Sequence, residues 1–320
     1  MSELFAGVDL GGTRVKAAVA AERGEILAHG ATPTAGERGP EAVIDAMTRL
    51  TEGLARQVGG ELRAVGVGCP GLVDRERGIT RFLPNLPGQW RDVPLGDRLA
   101  ERLGARVHLL NDARMATLGE LRFGWGLGRE RPTLLLLTLG TGIGGGVVVD
   151  GRLRLGPLGA AGELGHVPVD PEGEPCACGS RGCVETVASG PALVRAAARR
   201  LGAGETGALA AAGDPSRLTP EAIGAAARAG DPVASAVVAA AGRALGLALS
   251  GLVLALHPEA IVLAGGVAAI GEPLRRAIRA ELEARVTMLP VASVALVESP
   301  LGGRAGALGG VALARAGGVV

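Results

Sequence analysis

The chain alternates between short apolar runs and longer stretches in which apolar residues recur at helical spacing. Short apolar runs bounded by turn residues predict buried strands, whereas recurrence every three to four residues predicts amphipathic helices. The predicted strands span residues 5–10, 15–20, 25–30, 64–69, 107–110, 133–139, 260–263 and 291–297. The predicted helices span residues 40–58, 95–103, 189–201, 220–229, 232–256 and 303–316, and one more begins near Glu272. This mixture predicts an α/β protein.

A glycine-rich turn follows the first predicted strand and has a second copy later in the chain. The segment Asp9-Leu10-Gly11-Gly12-Thr13 can be laid over Thr138-Leu139-Gly140-Thr141-Gly142, and an apolar strand and a hairpin follow each copy. Taken alone, each copy is more typical of an ordinary hairpin turn. One unit used twice, with main-chain N–H groups able to cradle an anion, instead predicts a nucleotide held between two similar domains. Asp9 at the strand end could hold Mg²⁺ through water.

Asn111 and Asp112 stand at the end of the predicted strand 107–110, and a helical pattern begins immediately after them. In open α/β sheets, ligands bind at the carboxyl ends of strands. A carboxylate in that position can deprotonate a hydroxyl group. Aspartate is also a good helix cap, so Asp112 has a purely structural alternative. The repeated turn favours the catalytic interpretation.

A loop rich in proline and glycine covers residues 81–90 and contains Asn85. Loops on a rigid scaffold often carry recognition groups, and an amide both donates and accepts hydrogen bonds, which suits a sugar hydroxyl. An asparagine that only shapes the turn is at least as good an interpretation from the local sequence.

Three of the four cysteines lie within eight residues of one another, after a histidine. A closed, structural Zn²⁺ site is predicted from Cys176, Cys178 and Cys183 with His166, because a small loop without its own hydrophobic core needs a cross-link to be stable. The alternative is three free thiols in a loop. Cys69 is distant and is predicted to be a small buried core residue.

Two glutamates, Glu163 and Glu185, flank the cysteine-rich loop. If a metal holds His166, both carboxylates are fixed nearby, and paired acids with asparagines are typical of sites for vicinal sugar hydroxyls. Without a metal, both would be typical of a solvated surface. Gly265 and Gly266 follow the predicted strand 260–263 and would let a planar base lie against the backbone.

Composition and charge narrow the class of protein. Lys plus Arg number 33 and Asp plus Glu number 32, which argues against a protein whose main task is to bind nucleic acid. The chain begins without a secretory signal pattern, and the apolar stretch 245–256 is too short to span a bilayer. We therefore expect a cytoplasmic protein that binds neither nucleic acid nor membrane.

These motifs, in this order, resemble the ROK family of repressors, open reading frames and sugar kinases. The resemblance covers almost the whole chain, and the cysteine run is its most specific motif. It implies an actin-like (ribonuclease H-like) ATPase fold of class α/β, with two similar domains around a cleft. The smaller domain is expected to comprise residues 1–112 plus a C-terminal helix at about 303–320. The larger domain, residues 113–302, carries the zinc loop.

The resemblance also implies a role for each matched residue. Asp112 matches the general base that takes the proton from the sugar 6-hydroxyl. The implied sugar ligands are Asn85, Asn111, Asp112, Glu163, His166 and Glu185. The implied contacts to ATP and its Mg²⁺ are Asp9, Gly11, Gly12, Thr13, Lys16, Thr141, Gly142, Gly265 and Gly266. The implied zinc ligands are His166, Cys176, Cys178 and Cys183, with the second ring nitrogen of His166 left for the sugar.

The activity implied by the resemblance is phosphorylation of the 6-hydroxyl of glucose by ATP and Mg²⁺, because residues 84–90 are most like those of the family's glucose kinases. Other hexoses (N-acetylmannosamine, fructose, mannose or allose) and polyphosphate as the donor are alternatives. A sugar-responsive repressor is disfavoured, since eight residues precede Asp9 and leave no room for a helix-turn-helix. The family also implies a homodimer or homotetramer.

Two residues depart from the family's pattern. Gln89 separates Gly88 from Trp90, which could lengthen the sugar loop by one residue and change the hexose preference. Arg114 stands two places after Asp112, where a small or amide residue is common in the family.

Overall fold

The computed structural model describes residues 2–83, 86–211 and 217–320. In chain order the strands are β1 (Ser2–Leu10), β2 (Arg14–Ala21), β3 (Ile26–Pro33), β4 (Gly60–Cys69), β5 (Leu72–Asp74), β6 (Ile79–Phe82), β7 (Arg106–Asn111), β8 (Leu134–Leu139), β9 (Ile143–Val149), β10 (Arg152–Arg154), β11 (Ala260–Ala264) and β12 (Ala295–Glu298). The helices are α1 (Pro40–Val58), α2 (Leu95–Leu103), α3 (Asp112–Phe123), α4 (Glu185–Ala188), α5 (Gly190–Gly202), α6 (Ala208–Ala211), α7 (Pro220–Arg228), α8 (Pro232–Leu256), α9 (Glu272–Arg285) and α10 (Ala305–Arg315).

The last predicted strand, residues 291–297, is wrong in its first half. Val291–Ser293 forms a 3₁₀ turn, and β12 begins only at Ala295. The N–H of Val294 donates to the carbonyl of Val291, so this backbone closes a local turn. The side chains of Val291 and Val294 are still buried, which gave the segment the apolar pattern of a strand.

The first sheet has the strand order β3-β2-β1-β4-β7. β1 and β2 are antiparallel and are joined by the first glycine-rich turn, whereas β4 is parallel to both β1 and β7. Asp9 on β1 is paired with Gly68 on β4, and Cys69 is paired with Asn111 on β7. The turn and the end of β7 therefore lie along the same edge of the sheet.

The second sheet has the strand order β10-β9-β8-β11-β12, in which β9-β8-β11-β12 repeat the arrangement of β2-β1-β4-β7 in the first sheet. β8 and β9 form an antiparallel hairpin around the second glycine-rich turn, and β11 is parallel to both β8 and β12. The internal repeat predicted from the two turns is thus confirmed. Ala264 is paired with Thr138, so Gly265 follows β11 at the edge that carries the second turn.

The chain forms two compact units. The first comprises Met1–Glu130, Arg152–Ala161 and Pro300–Val320, and the second comprises Arg131–Gly151 and Gly162–Ser299. Each unit has its own hydrophobic core. These units differ from the predicted domains, whose boundary follows Asp112, because helix α3 packs on α10 within the first unit.

Helix α10 approaches the first sheet so closely that the sheet requires glycine. A Cβ atom added to Gly66 would lie 2.2 Å from the carbonyl oxygen of Gly310, and one added to Gly7 would lie 1.9 Å from that of Ala307. Close-packed interiors do not absorb such overlaps, so any side chain at either strand position would displace the helix. The C-terminal segment is in this way an integral layer of the first unit.

Among the described residues, only α8 has the length and composition of a membrane span, with a mean hydropathy of 1.9 over its most apolar 18 residues. Residues 245–256 form the second half of this helix, which begins at Pro232 as predicted. Half of this window is buried, and α8 packs against α5, α7 and α9 in the second core. A buried core helix passes the same length and hydropathy test, so α8 is weak evidence for a membrane segment.

Candidate active site and metal site

Asn111, rather than Asp112, caps helix α3. Its Oδ1 accepts hydrogen bonds from the main-chain N–H groups of Ala113 at 3.0 Å and Arg114 at 3.2 Å, and its Nδ2 donates to the carbonyl of Gly71 at 3.0 Å. These bonds satisfy N–H groups that a helix leaves unpaired at its start. Asp112 is the half-buried first residue of the helix, where the N-terminus favours a carboxylate.

Arg114 is 1% exposed, and its guanidinium joins three acceptors. Nη1 donates to Oδ1 of Asn111 at 3.1 Å, Nε to the carbonyl of Ala161 at 2.9 Å and Nη2 to the carbonyl of Ala160 at 2.9 Å. A guanidinium can do this because its donors are held in a fixed planar fork. The departure from the family's pattern therefore ties a distant loop to the start of α3.

Thr34 braces the first glycine-rich turn. Its Oγ1 donates to the carbonyl of Gly11 at 2.7 Å, and its N–H donates to the carbonyl of Thr13 at 2.9 Å. Thr34 is fully buried, whereas Gly12 and Thr13 are exposed. The turn is thus held by a buried side chain, while Gly12 and Thr13 remain exposed to solvent. No spacing pattern marks Thr34, and the sequence analysis missed it.

Asp9 and Lys16 are cross-strand partners at the end of the β1–β2 ladder. Burial raises the pKa of the Asp9 carboxyl group, and the positive charge of Lys16 opposes this shift. Nζ of Lys16 donates to the carbonyl of Gly303 at 2.9 Å. The two side chains predicted to serve ATP and Mg²⁺ therefore lie together beside the first turn.

The second glycine-rich turn is held by Glu185. Its Oε2 accepts from the N–H of Ile143 at 2.7 Å, and a Cβ atom added to Gly142 would lie 2.6 Å from the same oxygen. One oxygen of this predicted sugar ligand is therefore committed to shaping the turn. Thr141, the other predicted nucleotide contact of this turn, is exposed.

Gly265 lies directly against the second turn. A Cβ atom added to Gly265 would lie 2.4 Å from the carbonyl oxygen of Leu139, and the N–H of Val267 donates to that oxygen at 3.0 Å. Gly266 is exposed, and the nearest group to a Cβ added there is the Glu221 carboxylate, at 3.6 Å. The predicted phosphate and nucleoside contacts of this unit thus adjoin one another. Glu221, on α7, was not found by the sequence analysis.

The four predicted metal ligands form one cluster. The ligand atoms of His166, Cys176, Cys178 and Cys183 all lie within 4.8 Å of one another. Cys178 Sγ lies 3.7 Å from Cys183 Sγ, and Cys176 Sγ lies 3.6 Å from His166 Nδ1. Tetrahedral zinc with ordinary bond lengths needs ligand–ligand separations of about 3.5–3.8 Å. The donor set is compatible with zinc in both distance and chemistry.

The thiols of this cluster are not equivalent. Burial raises the pKa of Cys176 and raises the pKa of Cys183 to about 12, whereas a hydrogen bond from the N–H of Ser180 lowers the pKa of Cys178. Crowded, partly desolvated thiols resist ionisation unless a cation compensates for the charge.

Main-chain hydrogen bonds fold the loop that carries the cysteines. The N–H of Cys176 donates to the carbonyl of Ser180 at 2.8 Å, and that of Val184 donates to Val167 at 3.0 Å. Gly182 has a φ of +63°, and a Cβ atom there would lie 1.6 Å from the carbonyl oxygen of Asp170. Glycine is therefore required between Cys178 and Cys183 for the loop to close.

His166 presents its two ring nitrogens to two different groups. Nδ1 faces Cys176 in the cluster, and Nε2 lies 3.9 Å from Oε2 of Glu163. This is the division of roles that the family resemblance implies, with one nitrogen toward the metal site and the other toward a predicted sugar ligand.

Part of the predicted sugar loop lies outside the described residues, including Asn85 and Pro84. The end of the loop is anchored by Trp90, which is 2% exposed and whose carbonyl accepts from Oγ1 of Thr80 at 2.7 Å. Gln89 and Trp90 have φ values of +55° and +36°. Gln89 therefore has left-handed backbone immediately before the buried Trp90. Thr80 was also missed by the sequence analysis.

The predicted site residues fall into two groups, one in each unit. The first unit contains Asp9, Gly11, Gly12, Thr13, Lys16, Asn111 and Asp112. The second unit contains Thr141, Gly142, Glu163, His166, Cys176, Cys178, Cys183, Glu185, Gly265 and Gly266. Two sheets of like order, each with a glycine-rich turn at one edge, and an aspartate at the end of a parallel strand define a protein of the actin-like ATPase class.

The sequence model of the ROK family matches residues 5–316, and the chain belongs to that family. It is 39% identical over 320 residues to a glucokinase of Streptomyces coelicolor, with 98% of each chain covered. Its structure is similar to that of a ROK family glucokinase from Streptomyces griseus in complex with glucose and AMPPNP, at a TM-score of 0.82 and 38% identity over 98% of this chain and 99% of that one. A ROK hexokinase from Thermus thermophilus gives a TM-score of 0.83 and 35% identity over 98% of each chain. The predicted family and fold class are confirmed.

Proposed function

We propose that this protein is a glucokinase that transfers the γ-phosphoryl group of ATP to the 6-hydroxyl of glucose. Near-complete alignment with the Streptomyces glucokinases supports the proposal. The structural observation that carries it is the position of Asp112, a half-buried carboxylate that follows a parallel strand and starts a helix. That position suits a general base, and the helix cap is supplied by its neighbour Asn111.

Phosphoryl transfer passes through a loose transition state, so catalysis consists mainly of alignment and charge neutralisation. Asp112 orients the sugar hydroxyl and accepts its proton. The exposed main chain of Gly12, Thr13 and Thr141 offers N–H groups to the phosphates of ATP. Asp9 would hold Mg²⁺, which neutralises phosphate charge when bound.

The proposed sugar ligands are distributed over the two units in sequence. Asn111 belongs to the first, and Glu163, His166 and Glu185 belong to the second. Asn85 completes the proposed set from the sugar loop. Amides and carboxylates together can donate to and accept from vicinal hydroxyls, which suits a hexose.

We propose that the cluster of His166, Cys176, Cys178 and Cys183 binds a structural Zn²⁺. Its support is that the four donors lie within 4.8 Å of one another, with two pairs at the spacing of tetrahedral zinc, and that a cation would relieve the crowding of the three thiols. The metal would lock the tautomer of His166, so that Nε2 is presented to the sugar in one protonation state. We further propose a cytoplasmic location and a homodimer or homotetramer, in keeping with the family resemblance.

The first test is a coupled assay of the purified protein with ATP, Mg²⁺ and a panel of glucose, N-acetylmannosamine, fructose, mannose and allose. The highest kcat/KM for glucose would support the proposal. Turnover of another sugar in preference to glucose would overturn the substrate assignment and point to the loop that contains Gln89. Sugar binding without turnover would overturn the kinase. Polyphosphate in place of ATP tests the donor in the same assay.

A further inference from the structure

Arg114 is an unusual residue to find at a proposed sugar site, because it is nearly fully buried yet acts on two segments that are far apart in sequence. Its guanidinium donates to Asn111, Ala160 and Ala161 at 2.9–3.1 Å. Each of these bonds is charge-assisted and held in one plane, so the three acceptors are fixed relative to one another.

The first of these bonds determines how the Asn111 amide can point. Oδ1 accepts from Ala113 N–H, Arg114 N–H and Arg114 Nη1, while Nδ2 donates to the Gly71 carbonyl. An amide whose oxygen receives three donors cannot flip without losing all of them. The second N–H of Nδ2 therefore keeps one direction, as a fixed donor to a sugar hydroxyl requires.

The other two bonds hold a loop that glycine makes intrinsically variable. Gly156, Gly159 and Gly162 all have positive φ, between +68° and +96°. The N–H of Ala161 donates to the Leu155 carbonyl at 2.9 Å, which leaves the carbonyls of residues 160 and 161 facing Arg114. Glycine-rich backbone has more conformations to lose, so a side-chain anchor has a large effect here.

The anchored residues stand immediately before a proposed sugar ligand. The chain passes from the first compact unit to the second between Ala161 and Gly162, and Glu163 is the next residue. A Cβ atom on Gly162 would lie 3.0 Å from Cα of Gly146, so this glycine is already closely packed in the second unit. Through this glycine the main chain held by Arg114 continues into Glu163, which is two residues after Ala161.

We propose that Arg114 is a positioning residue of the hexose site, which fixes the amide of Asn111 and the main chain leading into Glu163. The proposal rests on the function proposed above, since the site it organises is the sugar site of that kinase. It predicts a specific effect on hexose binding, whereas the contacts to ATP, made by other segments, are left unchanged.

The test compares Arg114→Lys and Arg114→Gln with the matched control Arg315→Lys. Lysine keeps the charge but lacks the planar fork, and glutamine removes the buried charge in case lysine unfolds the chain. Arg315 also donates to a main-chain carbonyl, that of Glu22 at 2.8 Å, but is exposed at the end of α10. Steady-state kinetics with glucose and ATP are measured for each folded variant, together with hydrogen exchange at Ala161.

In a folded Arg114 variant, we expect KM for glucose to rise by about tenfold or more, because small misplacements of binding groups have large effects, while KM for ATP stays within about twofold. Exchange of the Ala161 amide should accelerate in these variants and remain unchanged in Arg315→Lys. Unchanged glucose kinetics, or equal changes in both KM values, would overturn the proposal. A wild-type protein without glucose turnover would instead overturn the proposed function, and the exchange measurement would still report on the anchor.

Discussion

The helix cap at Asn111 allows a quantitative prediction about stability that is independent of catalysis. Asn111→Ala removes the Oδ1 acceptor from the first turn of α3 and the Nδ2 donor from the carbonyl of Gly71. Loss of an N-cap costs about 1 kcal/mol, and each buried partner left unpaired costs about 1 kcal/mol more. The buried Nη1 of Arg114 and the part-buried carbonyl of Gly71 both lose Asn111 as a partner. The total is about 3 kcal/mol.

At roughly 2–4 °C per kcal/mol for domains of this size, Asn111→Ala should lower the Tm by about 6–12 °C. Asn111→Asp is the matched variant, because its carboxylate can still accept from the helix and from Arg114 but cannot donate to Gly71. Differential scanning calorimetry should therefore give the order wild type, Asn111→Asp, Asn111→Ala. An alanine variant as stable as wild type, or an aspartate variant less stable than alanine, would refute the reasoning.

Two further predictions concern the second unit. Metal analysis of the wild-type protein should find about one zinc ion per chain. Cys178 is the exposed ligand, and the Cys178→Ser variant should contain less zinc and have a higher KM for glucose. Full activity in a zinc-free wild-type protein would contradict the zinc assignment. Asp231 caps α8: burial would raise its pKa, but hydrogen bonds from main-chain N–H groups, including those of Ala234 and Leu209, outweigh burial and lower it. A lowered folded-state pKa gives stability above the unfolded value, near 4, that is lost as the pH falls through the folded value. The Tm difference between wild type and Asp231→Asn should therefore shrink below pH 4, and a difference constant from pH 7 to pH 3 would show that ionisation has no part in the cap.

Much of the fold could be predicted because its elements leave local signals. The glycine-rich turns and the apolar runs around them revealed the repeat that became two sheets of like order. The turn over Val291–Ser293 could not be distinguished from a strand, since burial of its side chains depends on tertiary packing and not on period. The compact units do not divide after Asp112 for a similar reason, because the packing of α3 on α10 is a long-range contact.

The candidate site shows the same division. The metal-site cluster of His166 and the three cysteines could be predicted from the sequence, because a metal site requires specific donor types at close spacing. In the structure the four donor atoms lie together. Thr34 and Thr80 carry no such signal, since each buried side chain holds a turn through hydrogen bonds to main-chain groups 10 or more residues away. The general-base role of Asp112 stays a prediction; the N-cap position belongs to Asn111, and Asp112 Oδ1 also accepts from the N–H of Ala113 in the first turn of α3.

The central claim is that Asp112 is the general base of a glucose kinase, and the most direct test is kcat for glucose phosphorylation by Asp112→Asn relative to wild type. Asparagine is nearly isosteric and can still accept from the N–H of Ala113, as Asp112 Oδ1 does at 2.8 Å, so the fold should be preserved. Loss of general-base catalysis should lower kcat by about 10²–10⁴-fold, with the Tm within about 2 °C of wild type. A folded Asp112→Asn protein whose kcat remains within about tenfold of wild type would contradict the account.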